Sequence, residues 1–158
     1  MNQFTGQLIS QHKRVGIVVA QFNELVTSRL LEGCVSQLAL LGIADAAITV
    51  VHVPGAMEIP REVKVLGDTG QVDGIIALGA VIRGETAHFD YVCQAATTGL
   101  AALALNGPVP VMFGVLTTDN TEQALARAGG KAGNKGAECA NGLMQMLTVE
   151  AQIAGMSD

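Results

Sequence analysis

The chain has 158 residues, of which 49% are hydrophobic and only 15% charged, with a formal net charge of −5; that length fits one hydrophobic core and argues against a second, independently cored domain. Mean hydropathy of +0.40 excludes a disordered chain, and nine scattered Lys and Arg form no basic stripe for nucleic acid or an anionic membrane surface. A soluble chain usually carries about 25% charged residues, so apolar surface remains to be covered, and an oligomer with small-molecule ligands is expected.

The chain opens with a polar segment, MNQFTGQLISQHKR, which has no apolar stretch of signal-peptide length, so secretion is not expected. Phe4, Leu8 and Ile9 are spaced through residues 1–13. This segment is either a free tail or an arm that adds a strand to the sheet edge of a neighbouring subunit. Residues 14–158 are expected to form a single domain.

Val15–Val19 reads as the first buried strand and is followed by a helix from about Asn23 to Leu41. Leu31, Val35, Leu38 and Leu41 are expected on its buried face, with Asn23 as N-cap and Gly42 near the end. A second strand is predicted over Ala46–Val53, then a short helix starting near Pro60 and stopping by Gly67 or Gly70. The third strand is predicted over Gly74–Ala80, its helix from about Thr86 to Asn106, and the fourth strand over Val109–Val115. A short helix over Thr121–Ala128, a glycine-rich turn and a last helix over Gly136–Ala154 complete the chain.

Between Asp90 and Asp119 run 28 residues without a charge. That is long enough to mimic a membrane span, but Asn106, Gly107, Pro108 and Pro110 divide it into a helix, a turn and a buried strand. Cys34, Cys93 and Cys139 are far apart and show no CxxC spacing, so reduced thiols in a cytoplasmic protein are expected rather than a disulfide framework or a zinc site.

Nearly uncharged, β-branched strands alternating with helices imply right-handed parallel crossovers and strands buried on both faces. The predicted fold is therefore a flavodoxin-like three-layer α/β/α sandwich around a four-stranded parallel sheet. In such sheets ligands bind beyond the carboxyl ends of the strands, where strand order reverses. The unusual residues of this chain follow the predicted strands: Gln21, Phe22 and Asn23 after the first, VPGAMEIP after the second, VIRGETAHFD after the third and LTTDN after the fourth.

Each of these supports two readings. Phe22 is one of only five aromatic residues; it either plugs a loop over the core or offers a flat ring to a heterocycle. Glu58, after the Pro54–Gly55–Ala56 turn, either favours the helix dipole or accepts hydrogen bonds from ligand hydroxyl and N–H groups. Gly84, Glu85 and Thr86 are either an ordinary helix start or an anion seat suited to phosphate. His88 either packs beside that helix start or exchanges protons near neutral pH. Arg127 and Lys135 flank the turn GGKAGNKG and are either solvated or available to phosphate. No clustered ligands surround His88, so no metal site is expected.

Taken together, AVIRGETAHFD at 80–90, VPGAMEIP at 53–60, Phe22 and Asn23, and GVLTTDNTEQALARAG followed by KAGNKG resemble the 6,7-dimethyl-8-ribityllumazine synthase family of riboflavin biosynthesis. The resemblance runs from about Val15 to Leu147 with every motif in order. It implies condensation of 5-amino-6-(D-ribitylamino)uracil with 3,4-dihydroxy-2-butanone 4-phosphate, without metal or redox cofactor. By position it implies that Phe22 stacks on the pyrimidine, that Ala56 and Glu58 hold the ribityl chain, and that Val81 and Ile82 bind the uracil edge through backbone groups, with Asn23, Met57 and Ala80 also substrate-binding. Gly84, Glu85, Thr86 and Arg127 would bind phosphate, and His88 would move protons. Phe113, Arg127 and Lys135 would come from an adjoining subunit. Met57 stands where the family often has an aromatic residue, which softens that wall.

The resemblance also implies a homo-oligomer: a pentamer and, since GGKAGNKG is short as in shell-forming members, twelve pentamers in a 60-subunit icosahedral capsid, with riboflavin synthase as a cargo. The alternative reading is a non-catalytic lumazine- or flavin-binding shell protein on the same scaffold.

Overall fold

The computed structural model describes residues 1–10 and 12–157; Gln11, within the predicted arm, and Asp158, at the end of the predicted domain, lie outside the described residues. In chain order the main elements are β1 (Val15–Ala20), α1 (Glu24–Leu40), β2 (Ile48–Val53), α2 (Ile59–Asp68), β3 (Gly74–Ile82), α3 (His88–Asn106), β4 (Val111–Thr118), α4 (Thr121–Ala126), β5 (Ala128–Gly130), β6 (Gly133–Asn134) and α5 (Lys135–Ala154). Four parallel strands form one sheet in the order β2-β1-β3-β4. This is the flavodoxin-like α/β arrangement that the strand–helix alternation implies, and the order reverses between β1 and β3.

Alternation along the inner strands builds two cores. Ile17 and Val19 of β1 and Ile76, Leu78 and Ala80 of β3 face α1 and α5, where Leu30, Cys34, Leu38, Leu143 and Met144 meet them. Val18 and Ala20 of β1 and Ile75, Ala77 and Val81 of β3 face α2 and α3, where Ile59, Val63, Ala96 and Leu100 pack. With both faces covered, β1 and β3 read as continuous apolar runs. Close helix approaches depend on glycine: a Cβ on Gly136 would collide with the Leu30 carbonyl, so α1 and α5 pack backbone to backbone there.

Several expectations need correction. β2 and β4 are not buried on both faces; as outer strands each has an open side, and Thr49, Val50, His52, Phe113 and Thr117 are exposed. β2 starts at Ile48 after a 3-10 turn at Asp45–Ala47, β4 runs from Val111 to Thr118, and α3 starts at His88 rather than Thr86. The buried stripe of α1 is Val26, Thr27, Leu30, Cys34 and Leu38, with Leu31, Val35 and Leu41 only partly buried beside it. Of the predicted face only Leu38 is fully buried; a helix this rich in leucine offers more than one apolar stripe. Asn23 stands at the N-cap position in a left-handed conformation (φ 62°) and its side chain makes no capping bond. Gly42 does end α1: at φ 86° it lets Ile43 N–H bond the Leu38 carbonyl and Gly42 N–H the Ala39 carbonyl, both at 3.0 Å. The glycine-rich turn forms the small antiparallel hairpin β5–β6.

Residues 1–10 have no regular secondary structure and run along α5. The Gln7 backbone N–H donates to Thr148 Oγ1 at 2.7 Å, and Gln152 Nε2 donates to the Thr5 carbonyl at 2.9 Å. At the sheet edge away from the strand carboxyl ends, Arg14 N–H and Nη2–H donate to the two carboxylate oxygens of Asp73 at 2.7 and 3.0 Å. Among the described residues no helix is long and apolar enough to cross a membrane.

Candidate active site

At the carboxyl ends of β1, β2 and β3 lies a cavity of about 460 Å³, within the range of small-molecule sites. The β1 ladder on β3 ends at Val19–Leu78, so the stretch Gly79–Ile82 runs on past its neighbour and opens a crevice at the strand reversal. Ala80, Val81 and Ile82 line the cavity there.

The β1–α1 turn supplies one wall. Gln21 and Phe22 donate their backbone N–H groups to the carbonyls of Val53 and Pro54 at 2.8 and 3.0 Å, which pins the turn to the end of β2. Asn23 Nδ2 donates to the Ala80 carbonyl at 2.8 Å, pinning the same turn to β3. Asparagine tolerates the left-handed backbone that this geometry needs. Between these anchors the Phe22 ring lines the cavity while 71% exposed, so it is a platform held by its backbone rather than a plug over the core.

The β2–α2 turn supplies the second wall through Pro54, Gly55, Ala56, Met57 and Glu58. A Cβ on Gly55 would stand 3.1 Å from Glu58 Oε2; glycine there gives the carboxylate room over the turn. Met57 is 54% exposed and presents a thioether to the opening.

The third wall is the loop from β3 into α3. Gly84, Thr86, His88, Phe89 and Val92 line the cavity, whereas Glu85 does not. The His88 backbone N–H donates to Thr86 Oγ1 at 3.4 Å, so the hydroxyl marks the helix start beside the positive end of a 19-residue helix. Sequence reasoning missed Phe89 and Val92. The signal was present: Val92 is one helical turn beyond His88, which puts both on the same face of α3.

The other predicted residues lie elsewhere. Phe113 sits on the outer strand β4, 42% exposed. Arg127 follows α4, where its Nη1 donates to the Gln123 carbonyl at 3.0 Å. Lys135 begins α5, its Nζ donating to Glu138 Oε2 at 2.6 Å. None of these three lines the cavity. Beside the loop, Arg83 Nε donates to Asp119 Oδ1 at 3.0 Å; that hydrogen bond, with the charges of Asp90 and Asp119, raises the guanidinium above its ordinary pKa.

Of the cysteines, burial pushes the Cys34 thiol up to about 12 and that of Cys139 up to about 11, so both are inert, protonated core residues. Among the described residues no group of three or more His, Cys, Asp or Glu is arranged to hold a metal ion. The chemistry available at the cavity is thus two aromatic rings, Phe22 and Phe89, one carboxylate, one imidazole, one hydroxyl, backbone groups of the wall and a helix N-terminus.

Comparison with known proteins adds the following. The family model described as 6,7-dimethyl-8-ribityllumazine synthase matches residues 12–151. A protein of that name from Levilactobacillus brevis is 56% identical over 154 residues, covering 98% of each chain. Others from Pediococcus pentosaceus and Lactiplantibacillus plantarum are 53% and 51% identical, each over 153 residues and 97% of this chain, covering 98% and 96% of their own lengths.

Proposed function

The chain belongs to the 6,7-dimethyl-8-ribityllumazine synthase family, and from that premise we propose how its own residues divide the reaction. The enzyme is a transferase of riboflavin biosynthesis: it condenses 5-amino-6-(D-ribitylamino)uracil with 3,4-dihydroxy-2-butanone 4-phosphate. An amine of the uracil condenses with the ketone and expels water, phosphate leaves by elimination, and the remaining carbonyl closes the second ring with loss of a second water.

Phe22 stacks on the pyrimidine, and its backbone anchorage to Pro54 makes that platform rigid. Asn23 serves the same wall by holding it to β3. The cavity-lining stretch of Ala80, Val81 and Ile82 meets the uracil edge, while Ala56, Met57 and Glu58 take the polyhydroxylated chain, the carboxylate accepting from its hydroxyls. Gly84, Glu85 and Thr86 seat the phosphate at the α3 terminus; Glu85, which is not among the cavity-lining residues, contributes through its backbone. His88 moves protons between amine, carbonyl oxygen and departing phosphate. Phe113, Arg127 and Lys135 complete the site of an adjoining subunit.

Both substrates are already reactive, so alignment is the larger part of the task. Holding two reactants in register supplies up to roughly 7–11 kcal/mol, and proton transfer by a positioned imidazole about 10²–10⁴-fold in rate. The observation that carries this division is the convergence of Phe22, Glu58, Thr86 and His88, from three separate strand–helix connections, on one cavity.

A subunit-spanning site requires an oligomer. The surface supports one: α3 has no charged side chain from Tyr91 to Asn106 yet leaves Tyr91, Ala95, Thr98, Ala102 and Leu105 exposed, and β2 offers an open strand edge that the 1–13 arm of a neighbour can extend. We read the assembly as pentamers joined into a 60-subunit capsid, able to enclose riboflavin synthase, and its location as the cytoplasm, in keeping with three free cysteines.

Mixing the two substrates with the purified protein tests the function. Lumazine absorbance and fluorescence should appear at a rate proportional to enzyme; binding of lumazine without its formation would instead select the non-catalytic alternative.

A further inference from the structure

The loop Gly84–Ala87 has little holding it from within. Gly84 has open space around its Cβ position, residues 84–87 are all exposed, and the one side-chain bond inside the segment's reach is the 3.4 Å contact of Thr86 with the His88 N–H. Its ends, by contrast, are cinched by a single side chain. Arg83 Nε donates to Asp119 Oδ1 at 3.0 Å, and Nη1 lies 3.5 Å from Asp90 Oδ1. The guanidinium carbon stands 4.3 Å from the centroid of the Phe89 ring, within cation–π range. The backbone N–H of Arg83 also bonds the Thr118 carbonyl at 2.9 Å. Asp119 is itself fixed, its N–H donating to Gln123 Oε1 at 2.8 Å in the first turn of α4.

We propose that Arg83 is a positioning residue for the phosphate substrate: its guanidinium, forked between Asp119 and Asp90 and laid on Phe89, locks the exit of β3 to the start of α3 and so fixes Gly84, Thr86 and His88. The inference rests on the reading of residues 84–86 as the phosphate seat. Ion pairs this exposed add little to fold stability, so fold stability is not what the fork secures. Displacing a substrate-holding group by about 1 Å, however, can cost on the order of 10²-fold in rate. Arg83 also offsets two carboxylates beside the seat, which would otherwise repel an incoming phosphate. A lysine keeps the charge but has neither the planar fork nor the flat face that lies on Phe89.

The test uses the assembled full-length enzyme and its Arg83→Ala, Arg83→Lys, Asp119→Asn and Thr86→Ala variants. Arg83→Ala should raise KM for the butanone phosphate, and the inhibition constant of inorganic phosphate, about 10-fold, with KM for the uracil diamine within about twofold. Arg83→Lys should recover only part of this, and Asp119→Asn should show a smaller rise in the same constants. Melting temperatures should stay within about 3 °C of wild type, since only exposed pairs are lost. Equal movement of both KM values, no movement, or full recovery by lysine overturns the proposal. Should Arg83→Ala fail to assemble, the lysine and Asp119→Asn variants decide it. If Thr86→Ala raises the phosphate constants while the Arg83 variants do not, the positioning role fails and the phosphate seat stands; if Thr86→Ala leaves them unchanged as well, the seat itself is wrong.

Discussion

Lys135 donates its backbone N–H to the carbonyl of Arg127 at 2.9 Å, so the backbones of the two residues are tied together at the base of the β5–β6 hairpin. Their side chains are held only locally, by Glu138 and by the Gln123 carbonyl, and neither lines the chain's own cavity. The proposed phosphate seat has neither of these cationic side chains in its own cavity lining, and that charge is assigned to the Arg127 of a neighbour.

Arg127→Ala should act on binding. Because a guanidinium contributes charge to a phosphate in both ground and transition states, its loss raises KM for the butanone phosphate about 10-fold or more while kcat falls less. Steady-state kinetics with each substrate varied in turn checks this; a kcat loss at unchanged KM contradicts it.

His88→Ala should act on the chemical step. The variant should fold and bind both substrates, since His88 is exposed, but turn over about 10²-fold or more slowly. Single-turnover rates measure it. A folded, substrate-binding variant with no activity at all would contradict the assignment of most of the acceleration to alignment.

Much of this was legible in the sequence because of where burial falls. The inner strands β1 and β3 are covered on both faces, so their apolar runs announce them. The connections after β1, β2 and β3 carry Phe22, Glu58 and His88 at places where packing demands none of these residue types. The outer strands were read as buried because composition does not say which strand is at an edge. Asn23 was read as a cap, since its left-handed backbone and its bond to Ala80 depend on a strand more than fifty residues away. The inner stripe of α1 was misread because Leu31, Val35 and Leu41 are as apolar as Leu30, Cys34 and Leu38. The positions of Phe113, Arg127 and Lys135 relative to the cavity are properties of the fold, and the part proposed for them in a site depends on two chains.

Asp73 should show a pH-dependent effect on stability. The Arg14 side-chain hydrogen bond holds its carboxylate below the ordinary range. A depressed folded pKa means that the contribution is present above the unfolded value of about 3.9 and is lost as pH falls through the folded value. Asp73→Asn should therefore lower the melting temperature by about 2 °C at neutral pH, discounted for exposure. The gap to wild type should close as the solution is acidified below about pH 4. A gap that persists in acid would assign the effect to packing instead.

Assembly should be visible by light scattering. A closed icosahedral shell gives a species about sixty times the 16.3 kDa chain, and riboflavin synthase added during assembly should co-migrate with it. A species of pentamer size throughout a range of pH and phosphate concentrations would contradict the capsid.

Subunit complementation tests the shared site most directly. His88→Ala and Arg127→Ala chains are co-assembled and assayed at low butanone phosphate. If His88 and Arg127 meet across a subunit boundary, random mixing leaves about a quarter of the sites with both residues intact, and activity should rise to roughly that fraction of wild type, above either parent. Activity equal to the average of the two parent assemblies would show that each chain carries its own complete site, and the account would fail.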